Sequence, residues 1–306
     1  MNMKPTLALC IPAYNAAWCL PRLLESAKAQ KYPFNEILVY DDCSTDETAA
    51  VAKSHGATVF NGTERTWNPI GKNKLAEIAT SEWLFFIDAD DKMLPEFTEK
   101  IQKWMSIEAS PDIVLIPYQC VDNFSEKLLY EVKYNAANLK IDSVRFTITE
   151  KIVNFELIKK EPFLKMGGFD IDSKILFIED RAFAFKAAFR GLKFDVESEI
   201  ICIKYYTKTS MSSANLAKCF EAGYHLWLKV YDVAGYKYPD EICYQLYQNS
   251  IWAAKANGWD TVKKSLALAK KINPYSLPQG SGFFLSAFKV SPFYAFYLRE
   301  MILRYF

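Results

Sequence analysis

The stretch Leu84-Phe85-Phe86-Ile87-Asp88-Ala89-Asp90-Asp91 decides how this chain is read. Its apolar half reads as a buried strand, and that strand ends abruptly in Asp88, Asp90 and Asp91. Buried strands of α/β proteins present their chemistry where they emerge at the carboxyl edge of the sheet. Carboxylates crowded there repel one another unless a cation neutralises them. Hard oxygen donors suit Mg²⁺ or Mn²⁺, and those cations in turn bind phosphate oxygens. The stretch therefore points to a metal-dependent enzyme acting on a phosphorylated donor. The plainer alternative is an acidic turn that caps the next helix.

Working outward, the first third alternates strand and helix. Leu7–Ile11 reads as a strand and Pro12–Asn15 as a turn. Residues 18–30 follow in a helical pattern, with Leu20, Leu23, Leu24 and Ala27 on one face. Glu36–Tyr40 is a second strand, 47–55 a helix closed by Gly56, and 57–60 a short third strand. Residues 73–80 read as a helix and 83–87 as the fourth strand. Such repeated βα units imply a mainly parallel, doubly wound sheet. A further helix (96–107) and strand (113–117) follow, and 119–160 carries no clear pattern. A helix through Glu179 and Asp180 ends at Arg190 with Gly191 behind it. Residues 194–203 hold one or two strands, and beyond 214 the pattern is helical and rich in Tyr and Trp.

Composition narrows the classes. The chain has 306 residues, of which 51% are hydrophobic and 15% aromatic, enough for a large core. A net charge of +1 gives no broad basic field for nucleic acid. The seven Cys lack CxxC spacing, which argues against a disulfide framework or zinc site and for a reducing compartment. With only His55 and His225, a His-rich metal centre is excluded. Residues 6–11 are too short an apolar run for a leader peptide, with Pro12 breaking it, and read better as a first strand. No segment offers the ~20 uninterrupted apolar residues of a membrane span.

Four patches now line up in order: Ile11-Pro12-Ala13-Tyr14-Asn15; Asp41-Asp42-Cys43-Ser44-Thr45-Asp46; Asp88-Ala89-Asp90-Asp91 with Pro95; and Gly167-Gly168-Phe169-Asp170 with Glu179-Asp180. Over residues 5–212 the chain resembles the family 2 glycosyltransferases. The resemblance implies a GT-A type, Rossmann-like α/β fold: a mainly parallel central sheet flanked by helices, here with a C-terminal helical appendage. It divides the chain into a catalytic domain, 1–212, and a helical region, 213–306. It implies a nucleotide-sugar donor, most often a UDP-sugar, an Mn²⁺ or Mg²⁺ cofactor, a glycan acceptor and no nucleic acid.

The same resemblance assigns residues. Pro12, Ala13, Tyr14 and Asn15 would flank the nucleobase, with Pro fixing the turn that presents Tyr14. Asp42, with Asp41 behind it, would accept a base N–H or approach the ribose, while Asp46 reads as a helix cap. Lys72, in a loop freed by Gly71, would face the diphosphate or simply solvent. Asp90 aligns with the direct metal ligand, Asp88 approaches ribose or metal, Ala89 lies between them in the donor site, and Asp91 starts the next segment. Asp180 would be the general base and Glu179 would orient the acceptor, in a single displacement that inverts the anomeric centre. First-turn acids are also stabilised by the helix dipole, which is the plainer account. Gly168 would allow close approach of backbone to the sugar. Many relatives carry a metal-binding His after the last strand. Here the loop Tyr205-Tyr206-Thr207-Lys208-Thr209-Ser210-Met211-Ser212 has none, leaving Thr207 as its equivalent by register and Lys208 as a candidate diphosphate contact.

The tail is a second source of function. Tyr224, Trp227, Leu228 and Tyr231 recur at helical spacing, as core, acceptor or homo-oligomer contacts. The run from Gly282 to Phe306 mixes aromatics with Lys289, Arg299 and Arg304 and is interrupted by Pro292, which suits a helix lying on a bilayer rather than one spanning it. That expectation gives a cytoplasmic protein, peripheral on the inner face of the membrane, serving surface-polysaccharide or lipid-linked oligosaccharide assembly. Two other readings stand beside it. A nucleotidyltransferase would want a Gly-rich basic loop after the first strand, which Pro12–Asn15 does not supply. A catalytically degenerate, glycan- or partner-binding relative is favoured by the missing His and opposed by the intact acidic pairs.

Overall fold

The computed structural model describes residues 5–153, 155–208 and 210–305. Thr209 of the last loop and Phe306 of the tail, both within stretches read above, lie outside the described residues. The chain divides into two compact units, one of residues 1–143, 152–171 and 186–207, the other of 144–151, 172–185 and 208–306. The second unit thus gathers two internal segments together with the tail.

In the first unit the strands are β1 (Leu7–Ala13), β2 (Glu36–Asp41), β3 (Thr58–Asn61), β4 (Trp83–Phe86), β5 (Lys92–Met93), β6 (Ile113–Leu115), β7 (Tyr118–Asp122), β8 (Leu128–Val132), β9 (Glu156–Lys159), β10 (Phe194–Val196) and β11 (Cys202–Tyr206). A seven-stranded sheet runs β10-β6-β9-β4-β1-β2-β3, parallel except at β9. A smaller sheet runs β5-β11-β7-β8. The register of β1 explains its centrality. Leu7, Leu9 and Ile11 pack on one face against Leu20, Leu23, Leu24, Phe97 and Ile101 of two helices. On β4, Phe86 joins Phe163 and Phe169 in an aromatic cluster with centroids 5.5 to 5.6 Å apart. With both faces covered, these strands read as continuous apolar runs.

The chain winds from β1 to β2 to β3 in one direction, then returns to the far side of β1 as β4. The gap between the carboxyl ends of β1 and β4 is therefore a topological switch point, the place where open α/β sheets bind ligands. The main departure from the sequence reading lies in the 119–160 region, where β7, β8 and β9 form. Strand β9 inserts antiparallel between β4 and β6, and its short run gives no period to recognise.

The second unit is helical. Helices Leu216–Ala234, Pro239–Lys255, Trp259–Ile272, Gly282–Val290 and Pro292–Tyr305 share a core built on Leu226, Trp227, Leu246, Tyr247, Phe288 and Phe296.

Candidate active site

At the end of β1 the Pro12–Asn15 turn is locked to the segment after β2. The Asn15 N–H donates to Ser44 Oγ at 2.9 Å, and its side-chain oxygen accepts the Thr45 N–H at 2.8 Å. The Asp42 N–H donates to the Ala13 carbonyl at 2.8 Å. Asn15 sits at φ 47°, a left-handed conformation that Asn tolerates better than most residues. Tyr14 is thereby held partly exposed, and the Arg65 guanidinium lies 3.5 Å from its ring centroid and 4.7 Å from that of Trp67. Asp46 lies one residue before the N-cap position, Glu47, of helix Thr48–Ser54, and accepts the Thr48 N–H at 3.0 Å and the Ala17 N–H at 3.1 Å. Burial works to raise its pKa, but these hydrogen bonds outweigh it and hold the carboxyl below its ordinary range.

The two acids ending β2 divide their labour. Asp42 accepts from the Thr66 N–H (2.7 Å), the Thr66 hydroxyl (2.9 Å) and the Trp67 N–H (2.9 Å), so both its oxygens hold the loop that carries Arg65. Asp41 receives one bond, from the Ser44 N–H at 3.0 Å, on a single oxygen. Of these two acids, Asp41, second choice in the sequence reading, is the one that keeps an oxygen without a hydrogen bond among the described residues.

Lys72 departs from expectation. The helix begins at Asn68, with Pro69 in its first turn, rather than at 73. Gly71 and Lys72 are therefore helical, not in a loop. Gly71 is needed for packing: a Cβ there would stand 2.9 Å from Cδ1 of Tyr40. Lys72 is 2% exposed, so the solvated-lysine reading fails, and its ammonium lies 5.0 Å from the Phe169 ring centroid. The neighbouring Asn73 joins this helix to the Gly168 turn, accepting the Phe169 N–H at 2.8 Å and donating to the Phe169 carbonyl at 3.0 Å. Gly168 sits at φ 56°, and a Cβ there would lie 2.3 Å from Asn73 Oδ1. What approaches this glycine closely in the structure is Asn73.

After β4, ligand oxygens of Asp88, Asp90 and Asp91 lie within 4.8 Å of one another. The Asp91 N–H closes the turn on the Asp88 carbonyl at 3.1 Å. Asp91 does not start the next segment as a surface acid. It is buried, and its Oδ1 accepts the Tyr205 N–H of β11 at 3.1 Å, while its Oδ2 has no hydrogen-bond partner among the described residues. Burial pushes the Asp91 carboxyl well up, with Asp90 and Asp88 adding repulsion and Lys204 opposing. Asp90 is pushed up too, by burial and then by Asp88. Lys204 faces the same cluster from β11. Burial alone would lower its pKa, but Asp91, Asp88 and Asp90 together raise it, so it stays charged. Arg22 donates to the Asp90 carbonyl and to Asn123 Oδ1 at 3.0 Å, with its guanidinium 3.5 Å from the Tyr205 ring centroid. An all-oxygen donor set, short of neutralising charge and with one buried oxygen unsatisfied, fits a hard divalent cation.

Sequence reasoning missed Lys204, Arg22, Arg65 and Asn73. Only Lys204 left a signal. On β11 it shares a face with the buried Cys202, and a lysine on the inward face of a strand calls for a carboxylate partner. Thr207, the residue in register with the absent His, is buried just beyond β11.

In the second unit Glu179 and Asp180 open helix Glu179–Phe189, as the sequence predicts. Glu179 is buried and Asp180 partly exposed. Arg181 beside them lies 4.7 Å from the Trp227 ring centroid and reaches Gln245 Oε1 at 3.3 Å. Burial lowers its pKa to about 10. Lys208 is exposed in the turn that follows β11. His55 ends helix Thr48–Ser54 against the Val51 carbonyl, and His225 lies within helix Leu216–Ala234.

The comparisons agree with this geometry. The family model described as glycosyl transferase family 2 matches residues 8–168. An uncharacterized glycosyltransferase of Haemophilus influenzae is 32% identical over 186 residues, covering 59% of this chain and 61% of that protein. The prophage-derived glycosyltransferase SunS of Bacillus subtilis is 37% identical over 118 residues, 37% of this chain and 27% of its own. A putative teichuronic acid biosynthesis glycosyltransferase, TuaG of Bacillus subtilis, is 29% identical over 34% of this chain and 43% of its own. The matched region spans less than two thirds of each of these relatives. Among solved structures, S. aureus TarS 1–349 in complex with UDP-GlcNAc superposes with a TM-score of 0.61 at 15% identity, covering 87% of this chain and 92% of that one. The mannosyltransferase PcManGT of Pyrobaculum calidifontis, in complex with GDP-Man and Mn²⁺, gives 0.59 at 17% identity over 100% and 82%. The fold is thus of the GT-A type, with its C-terminal helices added, and the chain belongs to glycosyl transferase family 2.

Proposed function

We propose that this protein is an inverting glycosyltransferase that moves a sugar from a nucleotide-sugar, a UDP-sugar first among the candidates, to a hydroxyl of a glycan acceptor. The observation that carries this reading is the cluster of Asp88, Asp90 and Asp91 at the switch point of the parallel sheet. Asp90 and Asp88 would hold Mn²⁺ or Mg²⁺, with Asp91 tied to β11 behind them. When bound there, such a cation supplies neutralisation of a diphosphate's charge. Tyr14 and the Arg65 guanidinium offer flat surfaces to a nucleobase, and Asp41 an acceptor for its N–H. Lys72 and Lys208 are the cations we assign to the donor.

Asp180 takes the proton from the acceptor hydroxyl as that oxygen bonds to the anomeric carbon, and Glu179 orients the acceptor. The bond to the nucleotide breaks in the same step, its electron pair leaving with the nucleoside diphosphate, so the anomeric centre inverts. The acceptor class we favour is a cell-surface glycan carried on a lipid, met at the inner face of the cytoplasmic membrane. Its support is the name of TuaG and the aromatic, basic tail.

The test is release of nucleoside diphosphate from a panel of UDP-, GDP- and dTDP-sugars, each with and without Mn²⁺, with the product anomer read by NMR. Metal-dependent release from one donor with an inverted product supports the reading. A retained anomer removes the single displacement. Absence of release with every donor and acceptor favours the degenerate, binding-only relative, a reading to which the Lys204 charge beside the acidic cluster lends weight.

A further inference from the structure

The tail concentrates charge that the whole chain hides. Although the net charge is only +1, residues 261–306 contain seven Lys or Arg and a single acid, Glu300. That acid is buried and paired with Arg299. Among the described residues of the last three helices the one exposed acid is Asp260, at the start of helix Trp259–Ile272, where it pairs with Lys264 at 2.6 Å. Its last two helices are apolar on two faces rather than one. Inward, Phe284, Phe288, Ala295 and Phe296 belong to the core of the second unit, with Phe288 5.6 Å from Tyr247 and Phe284 5.4 Å from Phe296, centroid to centroid.

Outward, Tyr294, Tyr297, Leu298, Met301 and Ile302 fall at the i, i+3, i+4, i+7, i+8 spacing of one helical stripe, and all are exposed. The preceding helix adds Phe283, 74% exposed, and Val290, 88% exposed, two turns apart. Lys289 stands exposed beside Val290, and the Lys263 ammonium lies 5.2 Å from the Phe293 ring centroid. No helix among the described residues is long and apolar enough to cross a membrane.

We propose that the outer stripe of helices Gly282–Val290 and Pro292–Tyr305 docks flat on an anionic lipid surface. Apolar and aromatic side chains enter the headgroup boundary, while the flanking lysines meet the lipid phosphates. The charge decides between this occupant and a second copy of the chain. A self-complementary interface would bring the same basic segment against itself, and like charges facing each other oppose association. An anionic bilayer is attracted by the charge that a second copy would repel. This inference deepens the lipid-borne acceptor proposed above and rests on that reading only for its purpose.

The experiment is sedimentation of the full chain with vesicles of phosphatidylcholine alone and of phosphatidylcholine mixed with phosphatidylglycerol, neither carrying a glycan. Binding to the anionic vesicles, falling as salt is raised, is expected. Leu298→Glu combined with Ile302→Glu lowers it at least about tenfold, and Lys289→Glu lowers it several-fold, with the melting temperature unchanged because these side chains are exposed. Absence of binding to either vesicle, or binding indifferent to these substitutions, overturns the proposal. So does a dimer in solution that Leu298→Glu dissociates, since the stripe would then face another copy. Vesicle binding without transfer to any lipid-linked acceptor would sink the acceptor reading and leave the docking surface intact. Transfer to a detergent-solubilised acceptor without vesicle binding would do the reverse.

Discussion

Lys204 shows how an acidic cluster can face a residue its motif does not name. Asp91 is buried beside two other carboxylates, and Lys204 is the cation the chain supplies to that group. Lys204 acts on these carboxylates through Coulomb attraction, and losing it leaves their mutual repulsion and burial unrelieved. Lys204→Met should therefore lower the melting temperature in metal-free buffer and recover more of it on adding Mn²⁺ than the wild type does; an unchanged melting temperature would mean that Lys204 does not serve the cluster. At Asp180, replacement by Asn should cut turnover by about 10² to 10⁴ while leaving donor affinity within about twofold, since a general base acts on the acceptor proton and not on nucleotide binding. Wild-type turnover by that variant would remove it as the base. The acids themselves were legible because three carboxylates close together after an apolar run repel one another unless something neutralises them. Which cations face them was not, because Lys204 and Arg22 lie 113 and 69 residues from Asp91 and, although Lys204 on its strand calls for a carboxylate, only the fold says which.

Among the elements, the first four strands and the first two helices could be read to within two residues at each end. Apolar strands covered on both faces alternate there with helices whose inward positions keep a 3.6-residue period. The helix at Asn68–Ile78 could be read only from 73 onward. Gly71 and the buried Lys72 interrupt its pattern, and the reason for both is tertiary: Tyr40 packs on one and Phe169 lies near the other. The Gly168 turn depends on the same helix. Gly168→Ala would place a Cβ 2.3 Å from Asn73 Oδ1 on a backbone at φ 56°, and the combined clash and strain should destabilise by about 2 to 4 kcal/mol. Urea unfolding measures this directly, and a loss under about 0.5 kcal/mol, the ordinary range for surface changes, would contradict the account. Strands β7 to β9 escaped sequence reading because their burial is uneven. The five residues of β8 are largely exposed, while β9 is a four-residue insertion held by its neighbours.

Across the molecule, stability and function separate cleanly enough to be tested apart. In the first unit Glu197 is a buried acid that serves no site. Its carboxylate takes hydrogen bonds from Trp104 Nε1 at 2.8 Å, Lys103 at 3.1 Å and the Ser198 N–H at 2.7 Å. Burial works to raise its pKa, but these bonds outweigh it and hold the group below its ordinary 4.5. A depressed carboxylate contributes stability that is complete above its unfolded pKa and is lost as pH falls through its folded one. Melting temperature should therefore drop on acidification below pH 4.5, and Glu197→Gln should cost about 2 kcal/mol near neutrality while flattening that acid limb. An acid limb as steep in the Gln variant as in the wild type would place the titration elsewhere. The tail was legible as aromatic and basic but not as two-faced, because sequence alone does not say which of two apolar stripes turns inward. The central claim, a cation-dependent nucleotide-sugar site at Asp88 and Asp90, is tested most directly by calorimetric titration of UDP-sugars and GDP-sugars into the wild type and Asp90→Asn, each with and without Mn²⁺. The account predicts tight binding of one donor that requires Mn²⁺ and is lost in the variant. Equal donor binding with and without the metal, unchanged by Asp90→Asn, would contradict it.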